Sequence, residues 1–560
     1  METRDWHKHY DDSVSPELEF RERLIPDFLS ESAKQFGDSE ALVFQNRRLT
    51  YRELNHEVER FATALASLGV KQGDRVAIQL PNLPQTVISF YAVLALGAQA
   101  VMTNPLYTPR EFTHQWKDSG CKVAIVTDYL FAGTIEPHCA ELPIEHYVLA
   151  SIPEYLGFPL NFLAPFKLKK SGLIARVAES STVHHFKRLL NRHPASPPKV
   201  SIGWEDEAIL QYTGGTTGVS KGAVLTHRNI SSNVQQVNAW FTCFEPGKEV
   251  MLTALPLFHV FGLTIAMNWP ISSGAKLVLL PDPRNVGAVV DAIEKEGVTI
   301  LPAVPAMFNA INHHEGIESR NLSSVKACFS GSAPLALDVQ ERFESLTGAR
   351  ILEGFGLTET SPVTHVNPLG GVRKVGSIGM PVSSTDAKIV DDAGQEVPMG
   401  ETGELLLSGP QVMRGYWDKP DETAEAFDGE WFKTGDLATV DEDGYFRIVG
   451  RKKDMILAGG YNIYPDEIDE VLMGHPDILE ASTIGVPHKE RGETVKSFIV
   501  PMPGKSLTES DVDEWCRERL APYKVPRLVE FLEELPKSTV LKVLRRELRD
   551  REIAKSEGQG

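Results

Sequence analysis

Short apolar runs rich in β-branched residues alternate with stretches of helical spacing, and that alternation restricts the chain to a layered α/β architecture. Tyr51 to Leu68 has the helical period and meets a stop at Gly69. Arg75 to Leu80 is a β-run closed by Pro81, and Lys122 to Thr127 is a second apolar strand. The pattern resumes from Ile209 to about Val449, with a strand expected at Ala275 to Leu280 and a helix at Asn285 to Glu296. After residue 385 the texture changes to short strands and turns. Asp391-Asp392-Ala393-Gly394 and Asp441-Glu442-Asp443-Gly444 both have hairpin-turn composition, which predicts a small β-rich subdomain over about 385–450. Near Arg451 the chain becomes charged, and a compact α+β tail follows to about residue 550, with a frayed end beyond. The expected organisation is a large N-terminal layered α/β domain, 1–450, and a small C-terminal α+β domain, 451–560.

At 560 residues the chain supports several cores and needs no staple to fold. Its formal net charge of -19 argues against broad nucleic-acid binding, which needs a basic face. The five cysteines, Cys121, Cys139, Cys243, Cys328 and Cys516, are scattered. They form no CxxC pair and no Cys/His cluster, so neither a zinc site nor a disulfide framework is supported, and a reducing cytosol fits. The first residues hold no apolar export core. The most apolar stretch, Val87 to Met102, is short for a membrane span and carries Ser89 and Gln99; a buried helix running into a strand is expected there.

Residues 155–200 differ in composition. Lys167, Lys169, Lys170, Arg176, Lys187, Arg188, Arg192 and Lys199 face one acid, Glu179, with Leu163, Phe166, Leu168, Leu173, Ile174 and Phe186 interleaved. Two readings stay open: a solvated connecting segment, or a surface over 163–192 that touches anionic lipid, peripherally on the inner face of the membrane.

The strongest local signal is Tyr212-Thr213-Gly214-Gly215-Thr216-Thr217-Gly218-Val219-Ser220-Lys221-Gly222 between two apolar runs. Glycines let backbone N–H groups turn toward one point, threonines add hydroxyl donors, and Lys221 adds positive charge; this is the chemistry a triphosphate requires. A P-loop is a poor fit. Val219-Ser220 separates Gly218 from Lys221, and Gly222 stands where a magnesium-binding hydroxyl belongs. An ordinary Gly/Thr turn is the other alternative.

Further segments recur with that loop in a fixed order: Leu255-Pro256-Leu257-Phe258-His259-Val260-Phe261-Gly262, Ser330-Gly331-Ser332-Ala333-Pro334, Glu353-Gly354-Phe355-Gly356-Leu357-Thr358-Glu359-Thr360, the long stretch Asp428 to Asp454, and Leu535 to Leu548. With them the sequence resembles the adenylate-forming superfamily of acyl-CoA synthetases, aryl-CoA ligases, beetle luciferases and peptide-synthetase adenylation domains, over nearly the whole chain. The stretch Asp428 to Asp454 is similar to the signature of long-chain fatty acyl-CoA synthetases.

The resemblance implies ATP, Mg²⁺ and CoA as the small molecules used, and a set of roles. Tyr212 to Gly218 and Lys221 become the phosphate loop. Phe258 and His259 stand beside the acyl pocket, with Phe261 and Leu263 as further candidates. Gly331, Ala333, Glu353 and Gly354 lie beside adenine, with Phe355 stacking on it. Thr358 bonds the α-phosphate or the substrate carboxylate. Glu359, a hard oxygen ligand, shares magnesium with Thr213. Asp436 accepts from the ribose hydroxyls and Arg451 clamps ribose or phosphate. Lys453 matches a hinge about which the C-terminal domain rotates, and Gly459, Gly460 and Tyr461 line the pantetheine tunnel. Lys542 matches the catalytic lysine; Leu541 replaces the glycine usual before it, which restricts that backbone.

The implied activity is a long-chain fatty acid:CoA ligase working through an acyl-adenylate. The competing functions are a fatty acyl-AMP ligase, a carrier-loading adenylation enzyme, luciferase-type oxygenation, and a non-catalytic lipid-binding protein of the same fold. Chain-length preference and oligomeric state, a dimer among the options, stay open.

Overall fold

The computed structural model describes residues 4–213, 220–458, 461–488, 491–538 and 543–557. The short apolar runs form parallel strands buried on both faces. Arg75–Gln79 pairs with Gln99–Met102 on one side and Val123–Thr127 on the other, and the side chains from Val76 to Gln79 are all buried. Continuous apolar runs are what parallel strands covered by helices on both sides require.

The helices follow from their caps and periods. Thr50 caps Tyr51–Ser67: its hydroxyl accepts from the N–H of Glu53 at 3.2 Å, and the Glu53 carboxylate accepts from the N–H of Thr50 at 2.8 Å. Leu54, Val58, Phe61, Ala62 and Leu65 recur at helical spacing and are buried, and the helix stops before Gly69. The apolar stretch Val87 to Met102 resolves as expected into the helix Pro84–Ala95, buried from Pro84 to Leu94, and the strand Gln99–Met102. A helix apolar on every side belongs inside a protein, and this one packs against Tyr51–Ser67. Among the described residues no helix is long and apolar enough to cross a membrane.

Among the described residues the strands form four sheets. One eight-stranded sheet carries Gly415–Tyr416, Lys221–Thr226, Glu207–Thr213 and Gln99–Met102 in that order at one end. A nine-stranded sheet runs from Met380–Pro381 through Val363–Val366, Arg350–Gly356, Ala327–Ser330 and Ile300–Ala303 to Arg47–Thr50. A smaller sheet holds Asp386–Val390, Gly403–Ser408, Trp431–Val440, Phe427–Asp428 and Phe446–Arg451. Its hairpin turn is the Asp441 to Gly444 segment, where the N–H of Gly444 donates to the carbonyl of Asp441 at 2.9 Å.

The last sheet is built from Ile456–Ala458, Tyr461–Ile463, Ile478–His488, Gly492–Pro501 and Leu528–Phe531. Its core is its own: Ile456, Ile463, Ile468, Leu472, Val495 and Ile499 pack together apart from the main cluster. The molecule is thus a large α/β body with a small α+β unit at its C-terminal end. All five cysteines are free thiols.

Candidate active site

The strand Glu207–Thr213 leads into the glycine-rich loop, and Lys221–Thr226 returns antiparallel beside it, with Thr213 opposite Lys221. Thr213 and Lys221 are therefore neighbours at one end of this strand pair. Gly214, Gly215, Thr216, Thr217 and Gly218 lie outside the described residues. The rim is braced by Asp118. Its carboxylate accepts from the Tyr212 hydroxyl at 2.6 Å, its carbonyl accepts from Nε1 of Trp417 at 3.1 Å, and the N–H of Trp417 donates to the carbonyl of Gly222 at 2.8 Å. Burial, with the Asp118 carboxylate next to it, raises the Tyr212 phenol and keeps it protonated.

Arg350–Gly356 ends in the short helical turn Thr358–Thr360, which packs against both strands of the loop. Glu359 is held there from two sides: its carbonyl accepts from the N–H of Met413 at 2.7 Å, and its Oε1 accepts from the Tyr416 hydroxyl at 2.9 Å. Burial pushes the Glu359 carboxyl above its ordinary value. Among the described residues no basic side chain forms an ion pair with it. Lys221 places Nζ 5.3 Å from the centre of the Tyr416 ring, so one tyrosine links the lysine and the carboxylate.

Gly331 follows the strand Ala327–Ser330 and lies against Phe261, where a Cβ would meet the ring at 3.1 Å. Gly354 is tighter, with a Cβ 2.7 Å from the Phe329 ring and 3.0 Å from the carbonyl of His365. Both positions need glycine because rings press on the backbone. Ala333 is exposed. The buried Glu353 carboxylate accepts from the N–H of Leu335 and of Gly376, each at 3.2 Å, and so fastens the loop after Gly331 to a second loop. Burial raises its carboxyl as well. Phe355 is half-buried, edge-on to His365 at 6.1 Å, and His365 packs on Phe446 at 4.8 Å. Complete burial drives the His365 imidazole down to about 3.

Asp436 and Arg451 are Cα partners across Trp431–Val440 and Phe446–Arg451, and Nε of Arg451 meets Oδ1 of Asp436 at 3.0 Å. Asp436 is buried and Arg451 is about a third exposed. Both lie close enough to Glu359 to shift its charge, Arg451 favouring the carboxylate and Asp436 opposing it. Desolvation first, then the Arg451 guanidinium, lowers Lys453 to about 8, although much of that side chain is exposed.

His259 sits in the turn before the π-helical segment Gly262–Asn268, where its Nδ1 accepts from the N–H of Phe261 at 3.3 Å. The carbonyl of Phe258 accepts from Nε2 of Gln211 at 2.7 Å, which ties this turn to the strand that carries the phosphate loop. Thr213, Lys221, Thr358, Glu359, Asp436 and Arg451 are therefore gathered around one region, with His259 and Phe355 on adjoining walls.

The C-terminal candidates are placed in part. Tyr461 is half exposed and stacks on Tyr523 at 4.4 Å. Gly459, Gly460, Leu541 and Lys542 lie outside the described residues. The ends of the lysine-bearing segment are close together, since Lys537 bridges to Val543 and the N–H of Leu544 donates to the carbonyl of Pro536 at 2.8 Å.

Sequence reasoning missed Tyr416, Trp417 and Asp118. Nothing local marks them: Tyr416 and Trp417 reach the site through pairing of Gly415–Tyr416 with Val224 and Ala223, across about two hundred residues of chain, and Asp118 reaches it from the helix Pro109–Ser119 through its bonds to Tyr212 and Trp417.

Comparison with known proteins shows the family to which the chain belongs. The AMP-binding enzyme family matches residues 29–417, and the AMP-binding enzyme C-terminal domain matches residues 467–542. The chain is 41% identical to the long-chain-fatty-acid–CoA ligase of Bacillus subtilis over 98% of each chain. It is 42% identical to the enzyme of the same name from Escherichia coli O6:H1, covering 97% of this chain and 98% of that one. The crystal structure of an anthranilate CoA ligase in complex with anthranoyl-AMP superposes with a TM-score of 0.85 at 29% identity, covering 96% of this chain and 98% of the other. By matched length, identity and fold together, this chain belongs to the AMP-binding enzyme family.

Proposed function

We propose that the chain is a long-chain fatty acid:CoA ligase. It activates a fatty acid with ATP to acyl-adenylate and pyrophosphate, then passes the acyl group to CoA and releases AMP. The observation that carries this is 41% identity, end to end, with a ligase of that name.

In the first step a carboxylate oxygen attacks the α-phosphorus, and the bond to pyrophosphate breaks as the new oxygen–phosphorus bond forms. Negative charge accumulates on the phosphoryl oxygens. Lys221, the donors of the loop 213–218, Thr358 and Lys542 are the groups assigned to stabilise it. Asp436 and Arg451 hold the ribose, Phe355 stacks on adenine, and Gly331, Ala333, Glu353 and Gly354 form the strip beside it. His259 and Phe258 face the acyl chain, whose burial stabilises binding by roughly 0.8 kcal/mol per methylene.

The residues present fit a magnesium ion. Glu359 is a hard oxygen donor with a raised carboxyl, met by a neutral hydroxyl and, among the described residues, by no ion-paired basic side chain, and Thr213 is the second protein ligand. Among the described residues no group of three acidic, histidine or cysteine side chains is placed to hold a metal ion. When bound, the ion neutralises charge on the transferring phosphoryl group.

In the second step the thiol sulfur of CoA attacks the acyl carbon, AMP departs, and the thiol proton is lost. Domain rotation about Lys453, with the body at 1–450 and the cap at 451–560, brings Gly459, Gly460 and Tyr461 to the pantetheine arm. The chain is assigned to the cytoplasm, with peripheral contact to the inner face of a membrane through 163–192. The test is CoA-dependent AMP release with saturated acids of increasing length and with 4-coumarate. Turnover should favour acids of palmitate length, and preference for the aryl acid would overturn the substrate assignment.

A further inference from the structure

The basic, aromatic segment after residue 155 splits into halves of opposite character. In the second half the helix Phe186–Arg192 is docked on the body: Phe186, Leu189 and Leu190 are buried. Its charges are matched, since Lys187 meets Glu57 at 2.9 Å and both Arg188 and Arg192 reach Glu179. The first half, the helix Leu160–Lys170, buries none of its residues. Phe158 is 79% exposed, Phe162 66%, Leu163 62% and Phe166 81%.

Phe162, Leu163 and Phe166 lie on the helix, Phe162 and Phe166 one turn apart, and Phe158 just before the helix packs edge-on against Phe162 at 6.2 Å. Lys167, Lys169 and Lys170 fill the last turn, and among the described residues none of them forms an ion pair. The apolar and cationic parts are thus separated along the helix axis. The base is fixed: the Asn46 side chain accepts from the N–H of Gly157 at 2.8 Å and donates to the carbonyl of Phe158 at 2.9 Å.

Folding gains nothing from leaving contiguous aromatic surface in water, so the patch calls for a partner. Charge complementarity identifies it. A chain of net charge -19 is repelled by an anionic bilayer, and this local run of unmatched lysines beside an aromatic cluster reverses that repulsion at one place.

We propose that this face is a membrane wedge whose partner is an anionic phospholipid bilayer. Phe158, Phe162, Leu163 and Phe166 enter the acyl boundary, and Lys167, Lys169 and Lys170 contact headgroup phosphates. This rests on the peripheral-contact reading above and narrows it from 163–192 to 158–170. The wedge holds the protein at the phase in which long-chain acids concentrate.

The test is co-sedimentation of the full-length protein with vesicles of phosphatidylcholine alone and of phosphatidylcholine with phosphatidylglycerol. Wild type should bind the phosphatidylglycerol vesicles, and the triple variant Phe162→Ser, Leu163→Ser, Phe166→Ser should bind them about tenfold more weakly. The triple variant Lys167→Glu, Lys169→Glu, Lys170→Glu should lose the preference for phosphatidylglycerol. Both should keep wild-type melting temperature and ATP–pyrophosphate exchange with detergent-dispersed palmitate. Equal sedimentation of wild type and variants, or no binding by wild type, overturns the wedge. Loss of lipid-free self-association in the serine variant, with lipid binding unchanged, would make the face an interface between copies and also overturn it. Absence of exchange in wild type would instead contradict the ligase assignment and leave the sedimentation result to stand by itself.

Discussion

The hydroxyl of Tyr416 donates to Oε1 of Glu359 at 2.9 Å. The same ring lies beside Nζ of Lys221, so the tyrosine couples the proposed magnesium ligand to the rim of the phosphate loop. Tyr416→Phe keeps the ring and removes the bond. A hydrogen bond to a charged group is worth about 1.5–3 kcal/mol. ATP–pyrophosphate exchange should fall about tenfold, with more Mg²⁺ needed for half-maximal rate. The check is exchange measured across a Mg²⁺ titration; an unaltered Mg²⁺ requirement would separate Tyr416 from the metal.

Asp436 is a buried carboxylate with Arg451 at 3.0 Å. Asp436→Asn keeps the shape and weakens the acceptor. The KM for ATP should rise about tenfold or more, while stability falls by only about 1–2 kcal/mol because Arg451 is partly solvated. Steady-state kinetics and a thermal melt check this. An unchanged KM with a large melting loss would mark the pair as purely structural.

His365 carries a pH signature. Its folded value, about 3, lies below the ordinary 6.5 because the ring is fully buried. The native state therefore disfavours its protonated form. The stability this group contributes is present above about pH 6.5 and is lost as pH falls toward 3, by roughly 4–5 kcal/mol in all. His365→Asn should flatten the pH dependence of urea unfolding across that window. Parallel curves for the two proteins would contradict the assignment.

Lys453 stands two residues after Arg451 at the proposed hinge. Lys453→Pro fixes φ there and restricts the preceding residue, so rotation should suffer more than static folding. Thioester formation from supplied palmitoyl-adenylate should slow at least about tenfold more than adenylation. Rapid-quench measurement of each half-reaction decides it; equal slowing would remove the hinge role.

Much of this was legible in the sequence, for physical reasons. The helix at residue 51 could be read because an apolar period and a following glycine agree, and the structure adds a capping box at Thr50. The hairpin at 441–444 and the strand at 123–127 could be read because turn chemistry and β-branched runs are local signals. The expected lipid surface over 163–192 takes in Phe186, Leu189 and Leu190, whose burial depends on the body beneath them and has no local signal. Tyr416 and Asp118 were invisible because their roles arise from strands and helices brought together over long separations. The restraint of Glu353 by two loop amides was invisible for the same reason.

The central claim is that this chain joins a fatty acid to AMP with the help of Lys542. The most direct measurement is pyrophosphate release from ATP by the purified protein with palmitate and Mg²⁺, for wild type and Lys542→Ala, alongside thioester formation from supplied palmitoyl-adenylate and CoA. Wild type should release pyrophosphate only when palmitate is present, and the variant should lose that release by about a thousandfold while keeping most thioester formation. Palmitate-independent behaviour in wild type, or equal loss of both steps in the variant, would contradict the account.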